Sequence, residues 1–276
     1  MTRPVVLVKL GGSLITDKRV PRTPRHAEIE RLAGELAAGL PAAVGRGLAV
    51  VLGHGSGSFG HVAAARHRLA GGLTGPDQLA GIRETQAEAA GLHRLVLDAL
   101  AAAGLAPYSI APSSAAVAEG DVVHLFAEPV ALALAAGLLP VLYGDVVMDR
   151  RRGVAICSTE RAFVALAGAL PAHGWRVAEA FWLGDTAGVY DGAGRTVAEI
   201  VPGGAAVAAG GAAGTDVTGG MAHRLETALE LARRGVASRL ADGAVAGLLG
   251  ALLAGEAVPG TRVAAAPGPA PPPPGT

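Results

Sequence analysis

The chain contains the stretch LAVVLGHGSGSFGH at residues 48–61, in which five apolar residues run directly into a glycine-rich turn. The apolar part predicts a buried β-strand, and the glycines predict a tight turn that leaves backbone N–H groups exposed. Such N–H groups are typical of phosphate-binding turns. Histidines at both ends of the turn, His54 and His61, also favour an anion. We therefore expect the site of chemistry to lie where a buried strand ends.

Short apolar segments of this kind alternate with longer helical patterns along the chain. The helical pattern at residues 77–103 has apolar positions spaced by three and four, and Gly104 after it is a typical helix stop. Strands that alternate with helices are typical of a mainly parallel sheet covered by helices. The sequence therefore predicts an α/β fold with strands at residues 5–10, 48–52, 106–110, 139–143, 180–183 and 237–240.

Composition excludes several classes of partner. The 276 residues contain 23 Lys plus Arg and 23 Asp plus Glu, so no basic field points to nucleic acid or to an anionic membrane surface. The apolar window at residues 244–255 is shorter than the roughly 18–20 residues of a membrane-spanning helix. Lys9 interrupts the first apolar run too early for a signal peptide. We therefore expect no membrane or nucleic-acid partner.

The cysteine and proline contents give two further expectations. Cys157 is the only cysteine, which excludes an intrachain disulfide and a multi-cysteine metal site and agrees with a cytoplasmic location. We expect it to be a buried structural thiol. Residues 267–276 are almost wholly Pro, Gly and Ala, so they are predicted to be a disordered tail whose deletion leaves activity and stability nearly unchanged.

Open parallel sheets bind ligands beyond the carboxyl ends of their strands, so the turns there are candidate sites. KLGGS at residues 9–13, with Lys18 shortly after, combines a mobile cation with exposed N–H donors, although a glycine turn with a solvated lysine is an equal alternative. YGDVVMD places Asp145 after an apolar run, where an aspartate orients lysines or a metal, or is an ordinary turn residue. Further turns of this kind are ICSTE (156–160), LGDTAGVY (183–190) and TDVTGGM (215–221).

The glycine turn also contains a literal G-x-G-x-x-G in Gly55, Gly57 and Gly60, which is the pattern of dinucleotide-binding turns. That fingerprint requires an acidic residue about 20 positions later, at the end of the next strand. Asp77 is the nearest candidate, but it stands at a predicted helix start. The dinucleotide interpretation is therefore disfavoured.

Taken in order, KLGGS, the turn ending in FGH, YGDVV and DVTGGM resemble the motifs of the amino acid kinase superfamily, and within it those of the isopentenyl phosphate kinases. The resemblance covers roughly residues 5–263. It implies an open αβα sandwich and a homodimer, with residues 1–266 as a single domain. Residues up to about 170 would bind the phosphate acceptor, and residues from about 171 to 266 would bind ATP. The Walker A pattern G-x-x-x-x-G-K-[ST] is absent from the sequence, in agreement with that superfamily.

The resemblance also implies a reaction, in which the γ-phosphoryl group of ATP passes to isopentenyl phosphate with Mg²⁺ accompanying ATP. Lys9 would contact the ATP phosphates, Lys18 would stabilise the transition state, and Asp145 would orient the lysines. His61 would hydrogen-bond the phosphate of the acceptor. The acceptor-binding residues implied are Ser56, Gly57, His61, Thr159 and Glu160, and the ATP-binding residues are Lys9, Gly11, Gly12, Ser13, Gly57, Asp185, Gly219, Gly220 and Arg224.

Three positions depart from the usual pattern of that family. Residues 158–160 read Ser-Thr-Glu where many members have Ser-Gly-Asp, so the acid is kept but lengthened. Ala187 stands where a second aspartate normally follows Asp185, and Arg224 stands where a lysine is expected. Arginine offers a planar fork in place of a point charge, so we expect altered nucleotide affinity.

Two alternative functions remain open at this level. The FGH turn also resembles that of the fosfomycin kinases, which act on a small phosphonate, and the wall around the acceptor tail should discriminate between the two. Leu79, Ile82 and Gln86 are candidates for that wall, with ordinary helix packing as their alternative role. The departures at Ala187 and Arg224 motivate the second alternative, a non-catalytic sensor or storage protein that binds a nucleotide or an anion.

Overall fold

The computed structural model describes residues 2–203 and 219–266, and strands alternate with helices through both ranges. The strands are β1 (Arg3–Leu10), β2 (Ala49–His54), β3 (Pro107–Ile110), β4 (Ala116–Glu119), β5 (Val122–Leu125), β6 (Leu139–Tyr143), β7 (Asp145–Asp149), β8 (Gly153–Cys157), β9 (Trp175–Gly184), β10 (Glu199–Ile200), β11 (Ala237–Asp242) and β12 (Thr261–Val263). The helices are α1 (Gly12–Ile15), α2 (His26–Gly45), α3 (Gly57–Arg66), α4 (Gln78–Ala102), α5 (Pro112–Ala115), α6 (Glu128–Ala135), α7 (Thr159–Ala169), α8 (Gly219–Arg233) and α9 (Leu248–Ala254).

The central sheet has eight strands in the order β10-β12-β11-β9-β1-β2-β6-β3. The pairs from β11 through β9, β1, β2 and β6 to β3 are all parallel, and β12 runs antiparallel to β11. All six strands expected from the sequence belong to this parallel part, although residues 180–183 are only the second half of β9. The predicted mainly parallel sheet is therefore confirmed.

The two faces of the central sheet are both buried, as the alternation of side chains along β1 shows. Val5 and Leu7 belong to one hydrophobic core with α6, α7 and α8, whereas Val6 and Val8 belong to a second core with α2, α4 and α9. A strand that is buried on both sides reads as a continuous apolar run, which is why β1 and β2 are recognisable in the sequence. The three layers confirm the predicted αβα sandwich.

A second sheet of four short strands, in the order β5-β4-β7-β8, is not predicted by the sequence analysis. Only Gly144 separates β6 from β7, so the motif YGDVV is the crossing from the large sheet to the small one. Asp145 is accordingly the first residue of a strand and lies 2% exposed, whereas the sequence predicted a turn there. Strands of four or five residues with exposed positions and charged turns lack a long apolar run.

The long helix α4 begins and ends within one residue of its predicted bounds, and Gly104 beyond it has the left-handed φ of 83° that a helix stop requires. Cys157 is fully buried, as expected. Residues 215–218 of the TDVTGGM motif and the predicted tail at 267–276 lie outside the described residues. Within the ranges that the structure describes, no helix has both the length and the apolar character needed to cross a bilayer.

Candidate active site

The carboxyl ends of the central strands open into a cavity of about 590 Å³. It is lined by most of the residues that the motifs singled out, and the residues of both the early and the late motifs face the same space. Those lining residues are Lys9, Gly11, Gly12, Ser13, Lys18, Ser56, His61, Asp145, Thr159, Glu160, Asp185, Gly220 and Arg224. Gly219 begins α8, one residue before Gly220.

Lys9 and Glu160 form a buried ion pair across the cavity floor. Lys9 lies near the end of β1 and Glu160 in the first turn of α7, and Nζ lies 2.7 Å from Oε1. Burial alone would raise the pKa of Glu160, but the charge and hydrogen bond of Lys9 outweigh it and lower that pKa to about 2. The carboxylate therefore stays ionised and fixes the position of the lysine.

This pairing differs from the expected division of roles. The resemblance gave Asp145 the task of orienting the lysines and placed Glu160 by the acceptor phosphate. Among the ion pairs of the described residues, Lys9 is held by Glu160 and Asp145 has no lysine partner. Two negatively charged groups repel each other, so a carboxylate bound to Lys9 has no favourable direct contact with a phosphate.

Asp145 is held by backbone donors instead. Its carboxylate accepts hydrogen bonds from the backbone N–H of Val146 at 2.8 Å and of Ser113 at 3.3 Å. Burial raises the pKa of Asp145, and the hydrogen bonds of Ser113, Val146 and Tyr143 oppose that rise. The carboxyl group lines the cavity in a fixed orientation, where it is available to a cation that enters with a ligand.

Two glycine turns pack against each other to form one wall of the cavity. A Cβ atom on Gly12 would lie 2.6 Å from the backbone N of Gly57, so α1 and α3 begin side by side. Gly57 has φ of 51° and packs against Thr16, whose hydroxyl accepts from the N–H of Ser58 at 3.0 Å. Gly57 itself is not among the lining residues. The missing side chain of Gly57 lets the turn pack against Thr16, whereas Gly11 and Gly12 line the cavity with backbone alone.

His61 is the histidine of the glycine turn that faces the cavity. It lies in α3, is exposed at the mouth of the cavity, and shares the lining with Lys18. Desolvation by the cavity walls lowers the pKa of His61, and the charges of Lys18 and Lys9 add to this effect more than Glu160 opposes it. The neutral form is therefore favoured until an anion approaches, and an anion favours the charged form.

His54, at the other end of the turn, lies beneath the site and does not line the cavity. It is fully buried, and its Nε2 lies 3.0 Å from Nδ1 of His93. Burial lowers the pKa of His54 to about 4. His54 is therefore neutral near pH 7, and only His61 of the two histidines is placed to meet an anion.

The N-terminus of α7 is built from Ser158 and Thr159. Ser158 caps the helix by accepting the N–H of Arg161 at 3.2 Å, and its Oγ lies 2.9 Å from Nε2 of His223. Thr159 donates its hydroxyl to the carbonyl of His54 at 2.6 Å, which leaves that hydroxyl no proton for a ligand. The N-terminal end of α7 favours anions through its unpaired N–H groups and its dipole.

Arg224 enters the cavity from α8. It is 5% exposed, its Nε donates to the carbonyl of Gly220 at 3.2 Å, and its Nη1 has no hydrogen-bond partner among the described residues. Burial lowers the pKa of Arg224, and the charges of Asp185 and Glu160 oppose that change. A buried donor without a partner is costly, so an anion at this position would relieve it.

Several lining residues were missed by the sequence analysis. His223 precedes Arg224 and faces the cavity, but no pattern in the sequence sets it apart from its helical neighbours. The wall expected from Leu79, Ile82 and Gln86 is wrong, because none of the three lines the cavity and Leu79 is 57% exposed. The apolar part of the cavity lining instead contains Ala64, Ile156 and Cys157, with Thr85 beside them.

The cavity lining provides several groups that bind phosphates. Glycine backbone, two lysines and an unpartnered guanidinium nitrogen surround one space, which is the chemistry of a polyphosphate site. Among the described residues, no three His, Cys, Asp or Glu side chains are grouped closely enough to hold a metal ion.

Comparisons with known proteins identify the family. The profile of the amino acid kinase family matches residues 4–242. The isopentenyl phosphate kinase of Methanothermobacter thermautotrophicus is 32% identical over 94% of this chain and 98% of its own, and that of Haloferax volcanii is 36% identical over 82% and 88%. A solved structure of an isopentenyl phosphate kinase superposes with a TM-score of 0.76 at 29% identity, covering 94% of this chain and 99% of its own. This chain therefore belongs to the amino acid kinase family, as its ordered motifs predicted.

Proposed function

We propose that this chain is an isopentenyl phosphate kinase. A phosphate oxygen of isopentenyl phosphate attacks the γ-phosphorus of ATP, the bond from that phosphorus to the β,γ-bridging oxygen breaks, and isopentenyl diphosphate and ADP are formed. The observation that carries the proposal is the convergence of Lys9, Lys18, Arg224 and His61 on one cavity. The similarity to isopentenyl phosphate kinases over nearly the whole chain supports this acceptor.

Charge is the main obstacle to this reaction, because two anions must approach each other. Catalysis of this kind depends on positioning and on cations around the transferring group. Lys9, fixed by Glu160, binds the ATP phosphates, and Lys18 neutralises charge that develops on the transferring phosphoryl group. Protonated His61 donates a hydrogen bond to the acceptor phosphate, and Ser56 supplies a polar contact beside His61.

The two parts of the chain divide these tasks. Residues up to about 170 form the acceptor side, and residues from about 171 to 266 form the ATP side, within a single domain of residues 1–266. Gly11, Gly12 and Ser13 add backbone donors for phosphate, and Asp185, Gly219, Gly220 and Arg224 lie on the nucleotide side. Mg²⁺ bound to ATP would shield the phosphate charges, and Asp145 and Asp185 are cavity carboxylates that would be available to hold it.

The wall around the acceptor tail supports a short, largely apolar group. Ala64 and Ile156 present methyl groups, Cys157 is a buried neutral thiol whose pKa burial raises to about 12, and Thr85 adds a small side chain. A small apolar wall with few polar groups suits a five-carbon alkenyl tail.

Release of ADP, measured with isopentenyl phosphate, with fosfomycin and with no acceptor, tests the proposal. We expect acceptor-dependent ADP release with isopentenyl phosphate and formation of the diphosphate product. Faster turnover of fosfomycin would show that the acceptor is a phosphonate and not isopentenyl phosphate. Equal background rates with every acceptor would show that the chain is not a kinase for either compound. In that second case, a non-catalytic protein that binds a nucleotide or an anion would be the remaining function.

We further propose a cytoplasmic homodimer. The single cysteine is buried and is not part of a disulfide, in agreement with the cytoplasm. Val117, Val122 and Met148 lie exposed on the small sheet, with Phe126 just beyond β5 60% exposed, and an apolar surface of this kind favours association. Light scattering should give twice the chain mass of 27.2 kDa, and a monomer at micromolar concentration would contradict the dimer.

A further inference from the structure

Gly184, the last residue of β9, lies directly against the side chain of Arg224. A Cβ atom built on Gly184 would overlap Nη1 of Arg224 and would lie 2.7 Å from its Cζ and 2.9 Å from its Nη2. Contacts below about 3 Å between non-bonded carbon and nitrogen are repulsive. The guanidinium group therefore occupies the space that any other residue at position 184 would fill with its side chain.

The rest of the surroundings hold Arg224 in that space. Its Nε is tied to the carbonyl of Gly220, one turn earlier in α8, and its side chain is almost entirely buried. Asp185 follows Gly184 and attracts the guanidinium group electrostatically. Nη1, the atom that lies over Gly184, is also the atom without a hydrogen-bond partner among the described residues. The backbone of Gly184 therefore supports the guanidinium group at the position where Arg224 lines the cavity.

We propose that Gly184 is a positioning residue for Arg224, and that the absence of a side chain at 184 allows the guanidinium group of an arginine at 224 to lie at the cavity wall and to bind a nucleotide phosphate there. The inference rests on the proposed function for the identity of the ligand. A guanidinium group is broad and planar, whereas a lysine ends in a single ammonium group on a narrow stem. A side chain at position 184 would therefore displace the guanidinium group of Arg224 from this position, whereas the narrower end of a lysine at 224 would be displaced less.

A double-mutant cycle on nucleotide affinity tests this coupling. The full-length wild type, Gly184→Ala, Arg224→Lys and the double variant are titrated with ADP by calorimetry without acceptor. We expect Gly184→Ala to weaken ADP binding about tenfold or more, and Arg224→Lys to weaken it less. We expect the double variant to bind within about twofold of Arg224→Lys, because the ammonium group leaves room for the methyl group.

Gly250→Ala in α9 is the matched control. A Cβ atom there meets no other atom within 4 Å, and the residue does not line the cavity, so ADP affinity should not change. Melting temperatures of all variants separate loss of fold from loss of binding. If Gly184→Ala fails to fold, recovery of folding in the double variant still supports the coupling. Losses that simply multiply in the double variant, or an unchanged affinity in Gly184→Ala, would overturn it.

The wild-type protein keeps this test separate from the test of function. If the wild type binds ADP but does not phosphorylate isopentenyl phosphate, the proposed function fails while the cycle on ADP affinity remains readable. If the wild type turns over isopentenyl phosphate and the cycle shows no coupling, only the role of Gly184 is lost. A steady-state control completes the design: the KM for ATP should rise in Gly184→Ala, whereas the KM for the acceptor should stay within about twofold.

Discussion

Replacement of Glu160 by Gln should cost stability as well as activity, because it leaves the buried ammonium group of Lys9 without its counter-charge. Glu160 is 6% exposed, and its pKa falls from 4.5 to about 2 in the folded protein despite burial, through the charge and hydrogen bond of Lys9. That difference corresponds to about 3 kcal/mol of folding free energy at pH 7. Loss of one partner of a buried pair costs a comparable ~3–5 kcal/mol.

The pH dependence gives the sharper form of this prediction. The folded-state pKa of Glu160 lies below the unfolded value, so the stabilisation is complete above about pH 4.5 and is lost as the pH falls towards about 2. The difference in unfolding free energy between wild type and Glu160→Gln should therefore be largest near neutral pH and shrink on acidification.

Urea denaturation at several pH values measures that difference. In thermal unfolding at pH 7, we expect the melting temperature of Glu160→Gln to lie roughly 6–12 °C below that of wild type, since about 1 kcal/mol shifts the melting temperature of a domain of this size by about 2–4 °C. Glu230→Gln is the control, because Glu230 pairs with Arg234 at 2.8 Å on the surface and should contribute less than about 1 kcal/mol. Equal stabilities of wild type and Glu160→Gln at pH 7, or a difference that does not change with pH, would refute the reasoning.

Three further variants test the glycine turn. His61→Ala should lower kcat/KM for the acceptor by about 100-fold with little change in ADP affinity, and an unchanged value would remove His61 from the site. Because burial and the charges of Lys18 and Lys9 lower the pKa of His61 below 6.5, acidification towards about pH 6 should strengthen acceptor binding in wild type more than in His61→Gln, and parallel pH profiles would contradict this. Gly57→Ala should lose about 2 kcal/mol or more in urea unfolding, since φ is 51° and a Cβ atom would lie 2.7 Å from Cγ2 of Thr16; wild-type stability would show that the turn can relax.

The parts of the fold that the sequence predicts are those with a local signal. β1 and β2 are buried on both faces, so their apolar runs are unbroken, and the glycines and lysines that follow them mark the site. The small sheet lacks this signal because its strands alternate between buried and exposed positions, as in β5. It consists of two hairpins, β4-β5 and β7-β8, and these are joined into one sheet only by the pairing of β4 with β7, which lie far apart in the sequence.

The site shows the same limit for side-chain partners. Lys9 is predictable from KLGGS, but its partner Glu160 is chosen by the packing of α7 against the end of β1, which no spacing in the sequence encodes. The expected acceptor wall lies on α4, but on a different face of that helix. Thr85 and Ala89 of α4 are buried, whereas Leu79 and Gln86 are exposed. A helical face shifts by 100° with each residue, so an error of one position moves a side chain out of the cavity.

The two catalytic lysines of the proposed mechanism differ in how firmly the backbone holds them. The strand pairing places Lys9 between Gly53 of β2 and Trp182 of β9, in the middle of the large sheet, while Lys18 lies exposed in the loop between α1 and α2. Amide hydrogens in the middle of a sheet exchange with solvent only when the whole domain opens. The amide of Lys9 should therefore remain protected in deuterated water long after that of Lys18 has exchanged. In the proposed mechanism, Lys9 then keeps its position through every turnover, whereas Lys18 is free to move with the transferred phosphoryl group.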